Sequence, residues 1–434
     1  MRRVLAIVGL GLLLAVAGCV APADDPGDLG EENGYRFDAY LSITTADGLN
    51  ASEREALLGR TMARVEHIRG LEFTDDIEVS VISRATFRNR RGSGFDGTLS
   101  TRQRWNEQVW EALHIIGEDT THPETRTTNR GSSVVGYYAP SNGSIVLVSD
   151  SPTPQIDRRT LVHELVHGLQ DQRLNLGERR EKQDGQLAIR GVVEGDANYV
   201  EALYERRCRS EWDCIDIPQS DRTRPQSFNQ GLFLVSYLPY AEGPNFVDAI
   251  RSRGGWDAVN DRYDNFPAST EQVIHPEYFP AQSPVEVSVT DRSRGGWERF
   301  SNLSEPRTDT PGEGSIYAMF VANGVIDRSG AAQYNYDHPL SNGWAGDTLA
   351  PYRNAGEYGY VWRIRWDSRA DAREFAGGYR RLLEGYDAEQ LGDGRYIVPD
   401  GPFADAFRLS RDGRTVTIVN APRASDLDRI HSGS

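Results

Sequence analysis

Apolar positions recur at about every 3.6 residues over several segments, and this period predicts amphipathic helices. Ser52 and Glu55 form a capping box that opens the first helix, and Asp157 is placed to cap the third. The predicted helices cover residues 52–69, 101–116, 157–172 and 185–207.

Alternation of apolar and polar residues predicts strands in two other segments. One strand is predicted over residues 77–82, and a hairpin over residues 134–148, where Asn142 and Gly143 favour a tight turn. Pro140 places the first hairpin strand at a sheet edge, because proline cannot donate to a ladder. From Pro284 onward strands dominate with a few helices, so we predict an α+β fold with a separate C-terminal α+β unit over residues 284–434.

The amino terminus has the pattern of an export signal. Two arginines precede an apolar run over residues 4–16, and Ala17-Gly18-Cys19 follows. This end resembles a lipobox, in which Cys19 is lipidated. We therefore predict a lipoprotein signal peptide over residues 1–18 and an acidic, Pro/Gly-rich stalk over residues 19–34. The body would lie outside the cell, anchored to the membrane through Cys19; an uncleaved anchor is the alternative, although the run is short of the ~20 residues of a span.

Composition excludes one class of partner. The formal net charge is −16, whereas nucleic-acid binding needs a surplus of cations that neutralise phosphates. Lys182 is the only lysine, and the acidic, arginine-rich composition is similar to that of proteins from extremely halophilic archaea. GC-rich codon usage is the alternative source of the arginine bias. The acidic surface identifies no substrate.

Two cysteines remain after Cys19, and they lie six positions apart. An even pair in an exported chain predicts a disulfide between Cys208 and Cys214. Two buried free thiols are the alternative.

The segment His163-Glu164-Leu165-Val166-His167 matches HExxH inside an apolar run. On a helix, positions four apart share a face, so both imidazoles can bind one metal ion. Glu164 is offset from that face and is placed to act as the general base. The alternative is a structural helix whose two histidines are satisfied by hydrogen bonds.

A catalytic zinc site needs a third protein ligand and a position left for water. Glu194 lies on the next helix, 27 positions after His167, and we predict it as the third ligand. Asp196 is the competing ligand and otherwise a carboxylate that supports the site. Gly191, Gly195 and Ala197 would let the two helices approach closely.

HELVHGLQDQ followed by EGDA resembles the gluzincin-like branch of zincin metallopeptidases, and more closely exported proteins carrying HELxHxLQDQ and EGDA. The resemblance implies a zincin-like metallopeptidase domain, placed over residues 35–283, with Zn²⁺ as cofactor and a peptide or protein as substrate. Gluzincins often carry Asp four residues after the ligand glutamate, where it orients the first histidine. Here that position is Asn198, which lacks the charge.

Peptide hydrolysis also needs a donor for the developing oxyanion. His275 is the first candidate, because it follows the polar stretch Thr270-Glu271-Gln272; Tyr240 and Tyr138 are its rivals. The alternative function is a catalytically weak or inactive lipoprotein of the same fold, acting in binding or envelope structure. Hydrolysis of a non-peptide bond is a third possibility, and the oligomeric state is left open.

Overall fold

A computed structural model describes residues 29–44, 48–91, 95, 97–130, 136–150, 157–174, 176–215, 228–300 and 308–432. The predicted signal peptide, the lipidation site Cys19 and most of the predicted stalk lie outside these residues. Within them, no helix has both the length and the apolar character that a membrane crossing requires.

The predicted α+β class is confirmed. Over the described parts of the chain, helices are interspersed with strands that form three sheets. The helices are α1 Ala51–Arg69, α2 Arg84–Arg91, α3 Thr101–Ala112, α4 His122–Arg130, α5 Arg158–Arg173, α6 Gln183–Cys208, α7 Gln230–Ala241, α8 Gly243–Asn260, α9 Thr270–Ile274, α10 Gly312–Ala322, α11 Arg369–Gly385 and α12 Leu427–Ile430.

The strands form a two-stranded, a three-stranded and a seven-stranded sheet. They are β1 Glu31–Glu32, β2 Tyr35–Arg36, β3 Glu78–Ile82, β4 Gly136–Ala139, β5 Ser144–Val148, β6 Glu298–Arg299, β7 Trp344–Asn354, β8 Glu357–Trp366, β9 Glu389–Gly392, β10 Arg395–Ile397, β11 Ala406–Asp412 and β12 Thr415–Ala421. The three-stranded sheet has the order β3-β5-β4, so β4 is an edge strand as predicted. The seven-stranded sheet has the order β6-β7-β8-β12-β11-β10-β9.

The first helix begins earlier than predicted. Asn50, not Ser52, is the N-cap: its side chain accepts from the Glu53 amide at 3.0 Å, and the Glu53 carboxylate accepts from the Asn50 amide at 2.9 Å. Leu49, the residue before this cap, is buried in the core. The predicted capping box was therefore wrong by two positions.

The stalk predicted to extend to residue 34 ends sooner. Strands β1 and β2 pair as a small hairpin, and the amide of Gly30 donates to the Glu66 carboxylate of α1 at 3.0 Å. Residues from 29 onward are thus attached to the folded body.

Helix α6 joins two hydrophobic clusters. Its first half, with Leu187 and Val192, packs into a large cluster that also contains α7, α8, α10, α11 and the seven-stranded sheet. Its second half, with Ala197 and Val200, packs with α1, α5 and the three-stranded sheet. The large cluster draws on both sides of the boundary predicted at residues 283 and 284, so the two units share one core.

The second half of α6 ends in the predicted disulfide. Cys208 is bonded to Cys214, which confirms the pairing expected from the sequence. The bridge closes the turn that follows α6.

Candidate metal centre

Helix α5 carries both histidines of the HExxH segment on one face. Its N-terminus is capped by Asp157, whose side chain accepts from the Thr160 amide at 2.9 Å. His163 and His167 are one turn apart, and their Nε2 atoms lie 3.1 Å from each other. The rings are nearly perpendicular, and their Nε2 atoms approach the same point.

Helix α6 brings the Glu194 carboxylate to the same point. Its Oε2 lies 3.4 Å from His163 Nε2 and 3.4 Å from His167 Nε2, and this buried oxygen has no hydrogen-bond partner in the described part of the chain. Zinc ligands at about 2.0–2.1 Å in a tetrahedron are about 3.3–3.4 Å apart. The two separations from Glu194 match this value, the 3.1 Å between the two imidazoles is slightly shorter, and the two imidazoles and one carboxylate are donors that zinc takes.

Gln170 orients the second histidine. Its Oε1 lies 2.8 Å from His167 Nδ1, where it can accept only if Nδ1 carries a proton, so Nε2 is the nitrogen that would bind a metal when the ring is neutral. The amide of Gln170 in turn donates to the Val193 carbonyl at 3.0 Å and to Asp196 at 3.3 Å. The tautomer of His167 is thus set by a hydrogen-bond chain that reaches α6.

Asp196, the competing ligand, is fully buried and faces away from the metal centre. It pairs with Arg69 at 3.1 Å and accepts from the Tyr263 hydroxyl at 2.8 Å. In the described part of the chain, Asp196 is linked to His167 only through Gln170, whose side-chain amide donates to it. Its role is therefore to hold Gln170 in place.

Asn198 does not orient the first histidine. Its amide donates to the Tyr240 carbonyl at 3.3 Å, which ties α6 to α7. The acidic neighbour of His163 is Glu201, with Oε2 3.8 Å from Nδ1. The gluzincin pattern would place this carboxylate at position 198, and Glu201 lies about one turn further along α6. Residues 194, 198 and 201 share one face of the helix, so Glu201 can still reach His163.

Glu164 lies beside the cluster and is nearly buried, with 9% of its surface exposed. Its Oε2 accepts from the main-chain amide of Tyr138 on edge strand β4 at 2.7 Å. The Tyr138 hydroxyl donates to Asp171 at 2.8 Å, so Tyr138 positions Glu164 through its backbone and its hydroxyl points elsewhere.

Tyr240 and Arg190 complete the surroundings. The Tyr240 ring stacks on His163 with centroids 6.1 Å apart. Burial, and then the charge of Glu194, raise the pKa of Tyr240, so its hydroxyl remains a donor. Arg190 lies one turn before Glu194 on α6, with Nη2 3.4 Å from Glu194 Oε1, and this contact raises the pKa of the guanidinium although burial opposes it.

His275 lies in a different cluster. Its Nε2 is 3.1 Å from Glu313 Oε1 on α10, and none of its described contacts reaches His163, His167 or Glu194. The expected oxyanion donor is therefore wrong on geometry: the turn that ends α9 directs this ring toward α10.

The charges of His167 and Glu194 affect each other. Burial alone would lower the pKa of His167, but its contact with the Glu194 carboxylate raises that pKa to about 9. Burial alone would raise the pKa of Glu194, and the two imidazoles hold it well below its usual range. An anionic carboxylate thus faces the imidazoles.

The glycines of α6 have a different role from the predicted one. A Cβ at Gly195 would lie 2.5 Å from the Gly243 carbonyl carbon, and a Cβ at Gly191 would lie 2.9 Å from Val273. The absence of a side chain at Gly195 and Gly191 lets α8 and α9 pack closely on α6. Ala197 instead packs in the cluster that contains α5.

Sequence reasoning missed Gln170 and Arg190 as parts of the site, whereas the polar face of α6 that carries Glu194 already included Glu201. Helical spacing was a signal for both missed residues: Gln170 is three after His167, and Arg190 is four before Glu194. The described residues contain one other potential metal group, formed by Glu111, Glu118 and Asp405, and it has no imidazole.

Comparison with known families bears on the C-terminal part only. A family model described as a domain of unknown function (DUF8575) matches residues 298–431, from β6 to the residue after α12. The metal-centre residues lie outside the matched segment. No curated protein matches the chain.

Proposed function

We propose that the protein is an exported zinc-dependent peptidase, anchored at the outer face of the cell membrane through Cys19. The observation that carries this proposal is the convergence of His163, His167 and Glu194, with Glu164 beside them. A metal-binding scaffold needs only the three ligands, whereas hydrolysis by metal-activated water also needs a general base, the role proposed for Glu164. The zincin-like core belongs to the same proposal.

Zinc held by His163, His167 and Glu194 would supply Lewis acidity, the chemistry that acidifies a bound water and polarises a carbonyl group. Glu164 accepts the proton of the attacking water and delivers it to the leaving amine. Tyr240 and Arg190 both carry protons and border Glu194, so they are the proposed donors to the oxyanion, in place of His275. The Tyr138 amide holds Glu164 in position at the edge strand, where an extended peptide can pair.

The test compares wild type with Glu164→Gln and His167→Ala. We expect one zinc per chain in wild type and Glu164→Gln, and none in His167→Ala, by elemental analysis. Peptide-library cleavage should fall by about 10²–10⁴-fold in Glu164→Gln, the usual contribution of a general base. Glu118→Gln, which alters the other potential metal group, is the control and should change neither readout. Equal cleavage by wild type and Glu164→Gln would refute the mechanism.

A catalytically inactive binding protein of the same fold is the second candidate. The observation that favours it is the 2.7 Å hydrogen bond from Tyr138, which occupies one oxygen of Glu164. Zinc in wild type with no cleavage of any peptide would support this candidate.

A further inference from the structure

A pocket of about 430 Å³ borders the candidate metal centre through Arg190, which lines the pocket and contacts Glu194 at 3.4 Å. Its walls come from α3, α4, α6 and α7. On α6 it is lined by Leu187 and Arg190, and on α7 by Leu232 and Ser236. Arg190 is four residues before Glu194, and Ser236 is four before Tyr240, so the pocket continues the helix faces that carry the site.

This pocket is cationic in a protein whose net charge is −16. Four arginines line it, and they are Arg102, Arg126, Arg180 and Arg190. The acidic lining residues are Glu181, which is exposed, and Asp309. Asp309 is buried and already accepts from the main-chain amides of Gln183 and Thr310 at 2.8 Å each, so it faces the backbone.

Three of the arginines are in no ion pair among the described residues, although the charge of Arg180 acts on the buried Asp184 carboxyl. Arg180 donates to the carbonyls of Pro267 and Phe266, which are neutral. Arg102 and Arg126 are exposed, and across the described ranges neither they nor Arg180 have an acidic side chain within ion-pair distance. The guanidinium group is suited to binding a carboxylate through two parallel hydrogen bonds.

The distance from the metal centre sets which part of a peptide reaches the pocket. One turn of helix advances about 6 Å over four residues. An extended peptide advances about 3.3–3.6 Å per residue. A group about two residues from the scissile bond would therefore enter the pocket, which Trp105 and Trp110 also line.

We infer that this pocket binds a substrate carboxylate about two residues from the scissile bond. The carboxylate is either an acidic side chain or the carboxyl terminus of the peptide. This inference rests on the proposed peptidase function, because it places the group relative to the bond that is cleaved.

The test uses alanine-based hexapeptides in which one Glu is moved along the chain, each paired with Gln at the same position. Every peptide is made with a free and with an amidated carboxyl terminus, which distinguishes the two sources of carboxylate. Binding to zinc-loaded Glu164→Gln is followed by tryptophan fluorescence, and cleavage by wild type is measured on the same peptides. We expect at least about tenfold tighter binding of one acidic peptide over its neutral partner, declining as salt is added.

The pocket is probed by the double variant Arg102→Gln/Arg126→Gln, with Arg373→Gln as control because Arg373 is exposed on α11, outside the pocket. The preference for the carboxylate should disappear in the double variant and persist in the control. Equal binding of every acidic and neutral pair, or a preference that survives in the double variant, would overturn the inference. If acidic peptides bind as expected but wild type cleaves none, the peptidase function fails and carboxylate binding stands.

Discussion

Replacing Gln170 with leucine would remove the acceptor at His167 Nδ1 while leaving all three proposed metal ligands in place. The 2.8 Å contact with Nδ1 and the bonds to Val193 and Asp196 would be lost together. Residues that orient a ligand histidine typically contribute 10- to 100-fold in metal affinity, so zinc binding should weaken by about 1.4–2.7 kcal/mol.

Zinc affinity would be measured at neutral pH by competition with a chromophoric chelator, which needs no catalytic activity. Gln172→Leu is the matched control, because Gln172 belongs to the same motif but bonds the main chain at Thr74 and Asp75. Both variants lose side-chain hydrogen bonds, so a general loss of stability would affect both. The same affinity in Gln170→Leu as in the control would refute the orienting role.

Two further predictions concern buried charge. Glu271 is 1% exposed, neither carboxylate oxygen has a hydrogen-bond partner in the described structure, and burial raises its pKa from 4.5 to about 9. The folded state therefore binds the proton more tightly than the unfolded state, and stability is lost as pH rises above 4.5. Glu271→Gln should raise the free energy of unfolding by about 3 kcal/mol at about pH 7 and by under about 1 kcal/mol at about pH 5, measured by urea unfolding. Equal gains at the two pH values would contradict this explanation. Arg69→Met should lower the free energy of unfolding by about 3–5 kcal/mol, because the buried Asp196 carboxylate loses its charged partner. The double variant Arg69→Met/Asp196→Leu should lower it by less. A double variant no more stable than the single variant would exclude the unpaired charge as the cause.

Local sequence predicted the parts of the site that lie on single helices. The spacing of His163 and His167 follows from the helical repeat alone, and Asp157 caps the helix as its residue type indicates. Short-range pairings were also predictable, since the Cys208–Cys214 bridge and the hairpin of β4 and β5 join residues that are close in sequence. These features need only one element and its immediate neighbours.

The features of the site that were not predicted depend on contacts between elements far apart in the chain. His275 and Glu313 are 38 positions apart, and nothing local in either sequence shows that α9 and α10 bring them together. Asn198 occupies a position where the family resemblance implied a histidine partner, yet the approach of α7 turns it to the Tyr240 carbonyl. The partners of a polar side chain are set by tertiary packing, which spacing along the sequence does not encode.

The position of Glu194 within α6 explains how two separate clusters can form one centre. Val192 belongs to the large cluster and Ala197 to the cluster around α5, so Glu194 lies where the helix passes from one to the other. The histidines belong to a helix packed in the second cluster, whereas Tyr240 comes from α7 in the first. Close contact between Gly195 and Gly243 fixes the depth at which α8 packs on α6 beside the carboxylate. The geometry of the centre is therefore set by the packing of both clusters on one helix, and the HExxH segment supplies only half of it.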